Sequence, residues 1–281
     1  MPGVRIVSDS SCDLRGADLD DKKIDVVPLS IRFGEDEYID GVNLTVEDFY
    51  KKMAAAPSLP ETAAPAPGAF EKVFSAARDN GDDAVVCINI SSELSATMQS
   101  AQTAAKAFDG EFPVHVVDSK SITSGLGTLV LEAEKASAGG ATADEIVTLV
   151  NALSARTHVF GALNTLENLK KGGRIGGARA MLGSMLSIKP IVDISTGIVE
   201  EAAKQRTRKR SLIWLYDRLK EAGDIEGLAV YHGDAPDLED FAELISPTFP
   251  RGSYRVGKIG PVIGTHGGPE IMGATWLDPV R

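Results

Sequence analysis

The sequence predicts an α/β protein in two parts: an N-terminal α/β domain with a parallel sheet at residues 1–157 and a C-terminal α+β domain with a mixed or antiparallel sheet at 158–281. In the first part, short apolar segments alternate with segments of helical period, which is typical of a parallel sheet covered by helices. In the second part, the short turn at 195–197 joins two apolar segments, and strands joined so closely are antiparallel. At 281 residues the chain is also longer than a single core usually supports.

The strands of the first part are predicted from short apolar runs at residues 4–7, 26–31, 84–90 and 114–117. Between the last two runs, apolar residues recur at helical spacing, at Leu94, Met98, Ala101, Ala105 and Phe108. We therefore predict a helix here, and Gly110 is suited to end it. The proline-rich segment 57–67 lies inside one alternating pattern, so we interpret it as a long functional loop.

The remaining elements follow from the same patterns. Residues 122–138 are predicted as a helix, and Thr142 with Glu145 forms the capping box of the next one. From residue 158 onward we predict a strand at 158–163, a glycine-rich turn at 170–177 and a small-residue helix at 178–187. Further strands are predicted at 189–194, 198–203, 227–232 and 253–259, with helices at 207–222 and 236–246.

Composition limits the function. A net charge of -11 disfavours a nucleic-acid binder, because an acidic surface repels phosphate. The two cysteines predict buried thiols rather than a disulfide framework, and the four scattered histidines predict no zinc site. The start of the chain lacks the apolar segment of a signal peptide, and no run approaches the ~20 apolar residues of a membrane span. We therefore expect a cytoplasmic protein with no stable membrane insertion.

Two serines, Ser91 and Ser92, lie where an apolar run meets the predicted helix. One of them could simply cap that helix, which is the commoner use of serine at such a junction. Alternatively, hydroxyls beside the free amides of a helix start could hold a carboxylate or phosphate. Neither they nor Ser95 lies in a G-x-S-x-G nucleophile elbow, so nucleophilic catalysis is disfavoured.

Three other polar residues are candidates for a site. Thr62 lies in the proline-stiffened loop, where it could face a ligand or merely solvate the surface. Asp9 ends the first strand, where parallel sheets bind ligands, but an Asx turn would explain it equally well. His266 lies among four glycines in GPVIGTHGG, so it is either a packing residue or a donor to an anion.

Neither of the two phosphate-loop patterns is convincing. Residues 252–258 match G-x-x-x-x-G-K, but Ile259 replaces the required Ser or Thr. The GGRIGG turn follows a predicted helix rather than a strand, so the sequence predicts no ATP site. The basic run KQRTRKR, which includes Lys204 and Arg206, is either a solvated face or a docking site for an acidic partner.

Several segments together resemble one family, the DegV fatty-acid-binding proteins, which are the lipid-presenting subunits of bacterial fatty acid kinase. They occur in order over nearly the whole chain: SDSSCDL at 8–14, the Thr62 loop ending in PGAF, SSELSATMQSA at 91–101, VDSKS at 117–121, LENLKKGGRI at 166–175, KP at 189–190 and GPVIGTHGGP at 260–269. Two departures from the family pattern are Ala63-Ala64 after the threonine and ELSATM where the family often has GLSGTY.

The resemblance implies a two-domain protein that holds one long-chain fatty acid between its domains and is not itself an enzyme. It implies that Thr62, Ser92 and His266 bind the carboxylate, with Ser91 and Ser95 close by. It further implies that a separate ATP-dependent kinase phosphorylates the bound carboxylate and docks partly at Arg174. We expect no cofactor besides the bound lipid.

Two alternatives remain open at this point. The first is a serine hydrolase of acyl esters that uses Ser92 or Ser95 as nucleophile, His266 as base and an acid such as Asp9. The second is a binder of some other apolar acid that works without a kinase.

Overall fold

The computed structural model describes residues 3–183 and 188–280. The strands are Val4–Asp9 (β1), Ile24–Val27 (β2), Ser30–Phe33 (β3), Asp36–Ile39 (β4), Glu61–Ala63 (β5), Ala84–Asn89 (β6), Val114–Asp118 (β7), Thr157–Ala162 (β8), Lys189–Asp193 (β9), Glu200–Gln205 (β10), Glu226–His232 (β11), Arg255–Lys258 (β12) and Met272–Leu277 (β13). The α-helices are Val46–Ala55 (α1), Pro67–Asp79 (α2), Thr97–Ala105 (α3), Thr123–Ala138 (α4), Ala143–Ser154 (α5), Glu167–Lys171 (α6), Arg208–Ala222 (α7), Leu238–Ile245 (α8) and Pro261–Gly267 (α9).

The first sheet confirms the predicted parallel α/β unit. Its strand order is β2-β1-β6-β7, and every neighbouring pair is parallel. Helices α2 and α3 cover one face, while α4 and α5 cover the other. The predicted capping box of Thr142 and Glu145 opens α5. Because all strands are parallel, their carboxyl ends and the loops that follow them meet at one edge.

The second sheet confirms the predicted mixed sheet of the C-terminal part. Its order is β10-β9-β8-β13-β11-β12, and only β11 and β12 are parallel neighbours among these strands. Helices α7 and α8 pack on one face around an aromatic group of Phe160, Phe241 and Trp276. The opposite face packs against α4, so that this helix lies between the two large sheets.

A small third sheet, β4-β3-β5, was not predicted. The expected single strand at 26–31 is two strands in different sheets, β2 and β3. Pro28 lies between them, and since proline has no N–H to donate, it interrupts the ladder at that point. The expected loop at 57–67 contains β5, which pairs with β3 so that Thr62 lies opposite Ile31.

Other boundaries also differ from the prediction. Helix α3 begins at Thr97, because residues 91–96 form a turn-rich loop, so neither Ser91 nor Ser92 caps it. The predicted small-residue helix is a 3-10 stretch at Gly176–Gly183, and its predicted residues 184–187 lie outside the described part of the chain. Helix α9 and strand β13 were not predicted, since GPVIGTHGG looks like a loop and MGATWL lacks alternation.

The hydrophobic core runs through both halves. One cluster joins Ile6 and Val86 of the first sheet to Leu126 of α4 and to Val159 and Ile259 of the second half. The predicted boundary at 157/158 falls at the start of β8, and the division into domains 1–157 and 158–281 stays a prediction. None of the helices described for residues 3–183 and 188–280 is long and apolar enough to cross a bilayer.

Candidate functional site

A cavity of about 180 Å³ lies between the two halves of the chain. One wall is the face of the second sheet formed by β8, β9 and β13, and the others come from α9, the 91–96 loop and the start of α4. Its lining is mainly aliphatic, and includes Leu29, Ile90, Leu94, Ile122, Val159, Leu163, Val192, Ile194, Val199, Ile259, Val262 and Ile271. Such a surface favours an apolar ligand, and only a few polar groups would orient it.

The polar side chains of the lining include Thr62, Ser95 and His266, and we call this end of the cavity the mouth. The exposed residues Ala96 and Arg174 line the cavity here as well, so the cavity reaches solvent at this end. Strand β5 supplies Thr62 and helix α9 supplies His266. The structure thus brings together three of the five predicted carboxylate-binding residues from distant parts of the sequence.

Thr62 and His266 form a direct pair. Thr62 Oγ1 lies 3.0 Å from His266 Nε2, and either group can be the donor, depending on the imidazole tautomer. The other ring nitrogen, Nδ1, is buried, and no described residue forms a hydrogen bond with it. Because buried polar atoms are normally paired, this ring is the least satisfied polar group of the cavity wall.

The imidazole of His266 packs directly against the backbone of Gly172. A Cβ at this position would lie 2.3 Å from His266 Nδ1 and 3.1 Å from the carbonyl oxygen of Asn168. The ring therefore occupies the space that a side chain at residue 172 would need, and Nε2 is the nitrogen left to face Thr62. This explains on steric grounds why residue 172 is a glycine.

The imidazole is neutral at pH 7. Burial, and secondarily the positive charge of Arg174, lower the pKa of His266 to about 4. A neutral ring can donate one hydrogen bond to an anion without forming an ion pair. The mouth can therefore bind a carboxylate through uncharged donors.

The serines of the 91–96 loop have different surroundings. Ser95 lines the cavity, and its hydroxyl is 2.8 Å from Thr97 Oγ1. Ser91 is buried and donates to the carbonyl oxygen of Gly197 at 2.6 Å. Ser92 is exposed and donates to Asp118 Oδ2 at 2.6 Å. Ser91 and Ser92 are therefore not part of the cavity lining, and both hydroxyls have other partners.

Asp9 is a structural carboxylate rather than part of the cavity lining. It is fully buried, and one oxygen accepts from the backbone N–H and hydroxyl of Ser11, which makes it the cap of a 3-10 turn. The other oxygen accepts from Asn89 Nδ2 at 3.1 Å and from the N–H of Ile90 at 2.9 Å. This agrees with the predicted turn-forming role and not with the predicted ligand contact.

The hydrolase alternative needs a serine hydrogen-bonded to His266 and an acid behind the ring. Among the hydrogen bonds of residues 3–183 and 188–280, His266 pairs with Thr62, while Ser92 pairs with Asp118 and Ser95 with Thr97. Asp9 is committed to other partners. The arrangement therefore lacks the nucleophile–base–acid sequence of a triad.

A buried carboxylate connects α9 to the N-terminal half. Asp13 accepts from the N–H of Gly260 at 3.0 Å and from the hydroxyl of Thr123 at 2.6 Å. Burial raises the pKa of Asp13 to about 7, although the neighbouring Arg15 opposes the shift. Both α9 and Thr123 belong to the cavity wall, so Asp13 holds two pieces of that wall in register.

The predicted docking residues lie beside the mouth and along one sheet edge. Arg174 is exposed, and its guanidinium donates to the carbonyl oxygens of Leu94 and Gly172. Lys204 and Arg206 are exposed on and just after β10, the edge strand of the second sheet, and Lys204 pairs with Glu201 at 3.2 Å. Arg208 of the same basic run instead forms an intramolecular ion pair with Asp237.

The sequence interpretation missed two sets of site residues. The first is the aliphatic lining, because apolar residues of a cavity wall have the same pattern as core residues. The second is the glycines that shape the cavity, Gly172, Gly161 and Gly273. The doubled glycines at 172–173 were a signal for a close approach of backbone, but nothing in the sequence indicated that the approaching group was His266.

Comparison with known proteins gives consistent matches over the whole chain. A model of a family described as uncharacterised proteins of the DegV family matches residues 3–278. A DegV domain-containing protein of Listeria innocua is 32% identical over 277 residues, which cover 97% of this chain and 98% of that protein.

Solved structures match as fully. One, described as fatty acid binding of a DegV family protein from Thermus thermophilus, has a TM-score of 0.89 at 30% identity and covers 99% of this chain and 100% of that one. Another, described as a stearic acid-binding protein from Eubacterium ventriosum, has a TM-score of 0.87 at 27% identity and covers 98% of each chain. The likeness therefore includes both large sheets.

Proposed function

The chain belongs to the DegV family, and from this premise we propose that it binds one long-chain fatty acid in the cavity and presents the carboxylate to a separate ATP-dependent kinase. The acyl tail lies along the aliphatic wall. The carboxylate lies at the mouth, where Thr62, Ser95 and His266 are its proposed partners. The resemblance also implies that Ser92 binds the carboxylate with Ser91 nearby, and this stays a prediction. In the structure, Ser91 donates to Gly197 and Ser92 donates to Asp118.

The observation that carries this proposal is the combination of an apolar cavity with an uncharged hydrogen-bonding pair, Thr62 and the neutral His266, at its open end. An apolar molecule with one terminal acceptor group matches that arrangement. The carboxylate would accept from the Thr62 hydroxyl and from the Nε2–H of the imidazole, two groups that otherwise pair with each other.

The tail supplies the affinity. Burying ~14 methylenes at about 0.8 kcal/mol each gives on the order of 11 kcal/mol before the costs of ordering the chain. The polar groups then need only to orient the head group, and this is why three uncharged donors are sufficient.

Uncharged donors also suit the proposed transfer. A carboxylate oxygen attacks the γ-phosphorus of ATP on the kinase, the bond to the bridging oxygen breaks, and ADP leaves with that electron pair, so that an acyl phosphate is formed. A buried bidentate arginine would hold both carboxylate oxygens and lower their nucleophilicity. The guanidinium of Arg174 is instead exposed and bound to two backbone carbonyls.

The partner surface we propose extends from Arg174 at the mouth to Lys204 and Arg206. The stretch after Arg174 packs on the entry to β10, since the N–H of Gly177 donates to the carbonyl oxygen of Val199 at 2.8 Å. Lys204 and Arg206 lie toward the other end of β10, and we propose that they and Arg174 form one docking surface on an otherwise acidic protein. A kinase with an acidic docking face would be complementary to it.

Lipid binding is tested by extraction. Protein purified from a bacterial host is extracted with organic solvent and analysed by mass spectrometry, and delipidated protein is titrated with palmitic acid. We expect one fatty acid per chain and restored binding after delipidation. Absence of any acyl chain across preparations, together with no heat of binding, would contradict the proposal.

Presentation is tested separately. The loaded protein is mixed with a bacterial fatty acid kinase subunit and ATP, and acyl phosphate is trapped with hydroxylamine. We expect Arg174→Ala to lower turnover at least tenfold while palmitic acid still binds, whereas Lys72→Ala on the remote helix α2 leaves turnover unchanged. If the loaded protein yields no acyl phosphate, it is a carrier without a kinase.

A further inference from the structure

Two glycines lie side by side in the cavity wall. Gly161 of β8 and Gly273 of β13 are direct cross-strand partners, and both line the cavity. Because side chains alternate along a strand, Gly161 shares its face with Val159 and Leu163, which belong to the core between the sheets. We call this bare pair the glycine row.

The glycine row lies midway along the cavity. At the mouth end, Gly267, the neighbour of His266, packs closely on Ile271 and Leu163, the residues one row nearer the mouth. One row is two residues of strand, so the glycine row lies about 7 Å beyond that contact. A further row along, Val159 contacts α4, since a Cβ on Gly125 would be 2.8 Å from Val159 Cγ2, and Ile122 and Thr123 close the wall beside it.

The protein itself does not require glycine at either position. Gly161 and Gly273 both lack the positive φ that favours glycine. A Cβ at Gly161 would meet only Val192 Cγ2, at 3.6 Å, and a Cβ at Gly273 would approach backbone oxygens no nearer than 3.4 Å. Glycine inside a strand weakens it and often marks the close approach of a ligand or another backbone. Here the space above the row is cavity, so a ligand is the group that uses it.

Resting on the proposed function, we propose that the glycine row is the passage through which the acyl tail reaches the closed end at Val159, and that it determines the ligand class. Acids long enough to cross the row gain the contacts of the last section of the cavity. A side chain at the row would make the cavity end there and would restrict the protein to shorter acids.

The experiment measures how affinity depends on chain length. Delipidated protein is titrated calorimetrically with straight-chain acids from octanoic to palmitic. For wild type we expect affinity to rise about fourfold per methylene throughout the series. For Gly161→Val we expect the same rise up to the length that reaches the row and none beyond it, so that palmitic acid binds at least tenfold more weakly while octanoic acid is unaffected.

Two milder variants and one control accompany it. Gly161→Ala and Gly273→Ala add single methyl groups that clash with no neighbouring atom. Each should also shorten the chain length beyond which affinity stops rising. Gly68→Ala is the control, because that glycine has nothing within 4 Å of its Cβ position and lies on α2, away from the cavity. Thermal melts of all variants confirm that they are folded.

The possible results separate the two proposals. Parallel length dependences for wild type and the row variants would overturn the inference and leave fatty acid binding intact. A folded variant at Gly161 or Gly273 whose affinity falls by the same factor for every acid would also overturn it, since the glycine row would then act on the head group. Failure of wild type to bind any acid would overturn the proposed function itself, and this inference with it.

Discussion

Two polar side chains, the buried Asp9 and the half-buried His266, have similar surroundings in the sequence, because both lie at the end of an apolar run beside small residues. In the structure they differ in one respect. Asp9 receives four hydrogen bonds, from Ser11, Asn89 and Ile90, which satisfy both carboxylate oxygens. His266 has a single partner, Thr62, and a buried Nδ1 with none among the described residues.

The difference teaches how to separate structural from ligand-binding polar groups. A carboxylate with all its acceptor sites used stabilises the loops that it connects and has nothing left to offer a ligand. The Thr62–His266 pair lies on the wall of an apolar cavity, and its hydroxyl and Nε2 can exchange their mutual hydrogen bond for bonds to a ligand. Stability should therefore depend on Asp9 and binding on the Thr62–His266 pair.

The largest expected effect is the loss of stability caused by Asp9→Ala. Asp9→Ala leaves the N–H groups of Ser11 and Ile90 and the Asn89 amide buried without an acceptor, and each such group costs on the order of 1–3 kcal/mol. We expect the free energy of unfolding, measured by urea denaturation, to fall by about 3–5 kcal/mol. Palmitic acid affinity should change less than twofold in conditions where the variant is folded.

Asp118→Ala is the matched control for Asp9. Asp118 accepts from the hydroxyl and N–H of the exposed Ser92 and from the N–H of Lys120, so water can replace it. A loss of about 1 kcal/mol or less is expected. If Asp9→Ala were as mild as this control, or if it weakened palmitic acid binding tenfold, the contrast between Asp9 and His266 would be wrong.

The second effect is the pH dependence of stability from His266. Its folded pKa of about 4 lies below the value near 6.5 of an unfolded histidine, so between these pH values the unfolded chain binds a proton that the folded chain does not. The free energy of unfolding therefore falls as pH drops from about 6.5 to 4. This contribution should amount to about 2–3 kcal/mol.

The His266→Gln variant checks the assignment. Urea denaturation of wild type and variant at pH 7 and pH 4.5 gives the difference in slope. Glutamine does not titrate, so the variant should lose less stability than wild type over this interval. Equal losses in the two proteins would show that His266 is not the group responsible.

How much of this contrast the sequence could predict depends on the range of the interactions. Periodicity predicted the parallel sheet and the helix at 122–138, a capping box predicted the start of the next helix, and the short turn at 195–197 predicted the antiparallel pair β9–β10, because all three signals are local. It missed β13, the strand between β8 and β11, because that strand is buried on both faces and MGATWL has no alternation. Pro28 is a local signal for the break between β2 and β3.

The site was less predictable for a physical reason. The residues Thr62, Ser95 and His266 were named by resemblance, but that Thr62 and His266 touch depends on a pairing 204 residues apart. The sequence likewise could not indicate that Ser91 donates a hydrogen bond to the carbonyl oxygen of Gly197. Nor could it indicate that the missing Cβ of residue 172 leaves room for the imidazole. Satisfaction of hydrogen bonds is a property of the tertiary structure, and it is what distinguishes the two groups compared here.

The third effect is mainly on binding. Thr62→Val keeps a β-branched side chain on β5 but removes the hydroxyl that pairs with His266. We expect palmitic acid to bind about tenfold more weakly by calorimetry, equivalent to ~1.4 kcal/mol, while the free energy of unfolding falls by only about 1 kcal/mol for the one lost hydrogen bond. Thr103→Val, on the exposed face of α3, should change neither quantity. Unchanged affinity in Thr62→Val would remove this residue from the proposed head-group site.

The smallest effects concern the two serines that the resemblance also implies. Ser91→Ala removes the donor to Gly197, which joins the 91–96 loop to the C-terminal half, and should cost about 1 kcal/mol of stability. Ser92→Ala removes only an exposed bond to Asp118 and should cost less. Because both hydroxyls already have partners, we expect palmitic acid affinity to stay within twofold in each variant. A tenfold loss in either one would mean that its hydroxyl leaves its present partner for the carboxylate, and that a satisfied hydroxyl, unlike a satisfied buried carboxylate, can still be recruited by a ligand.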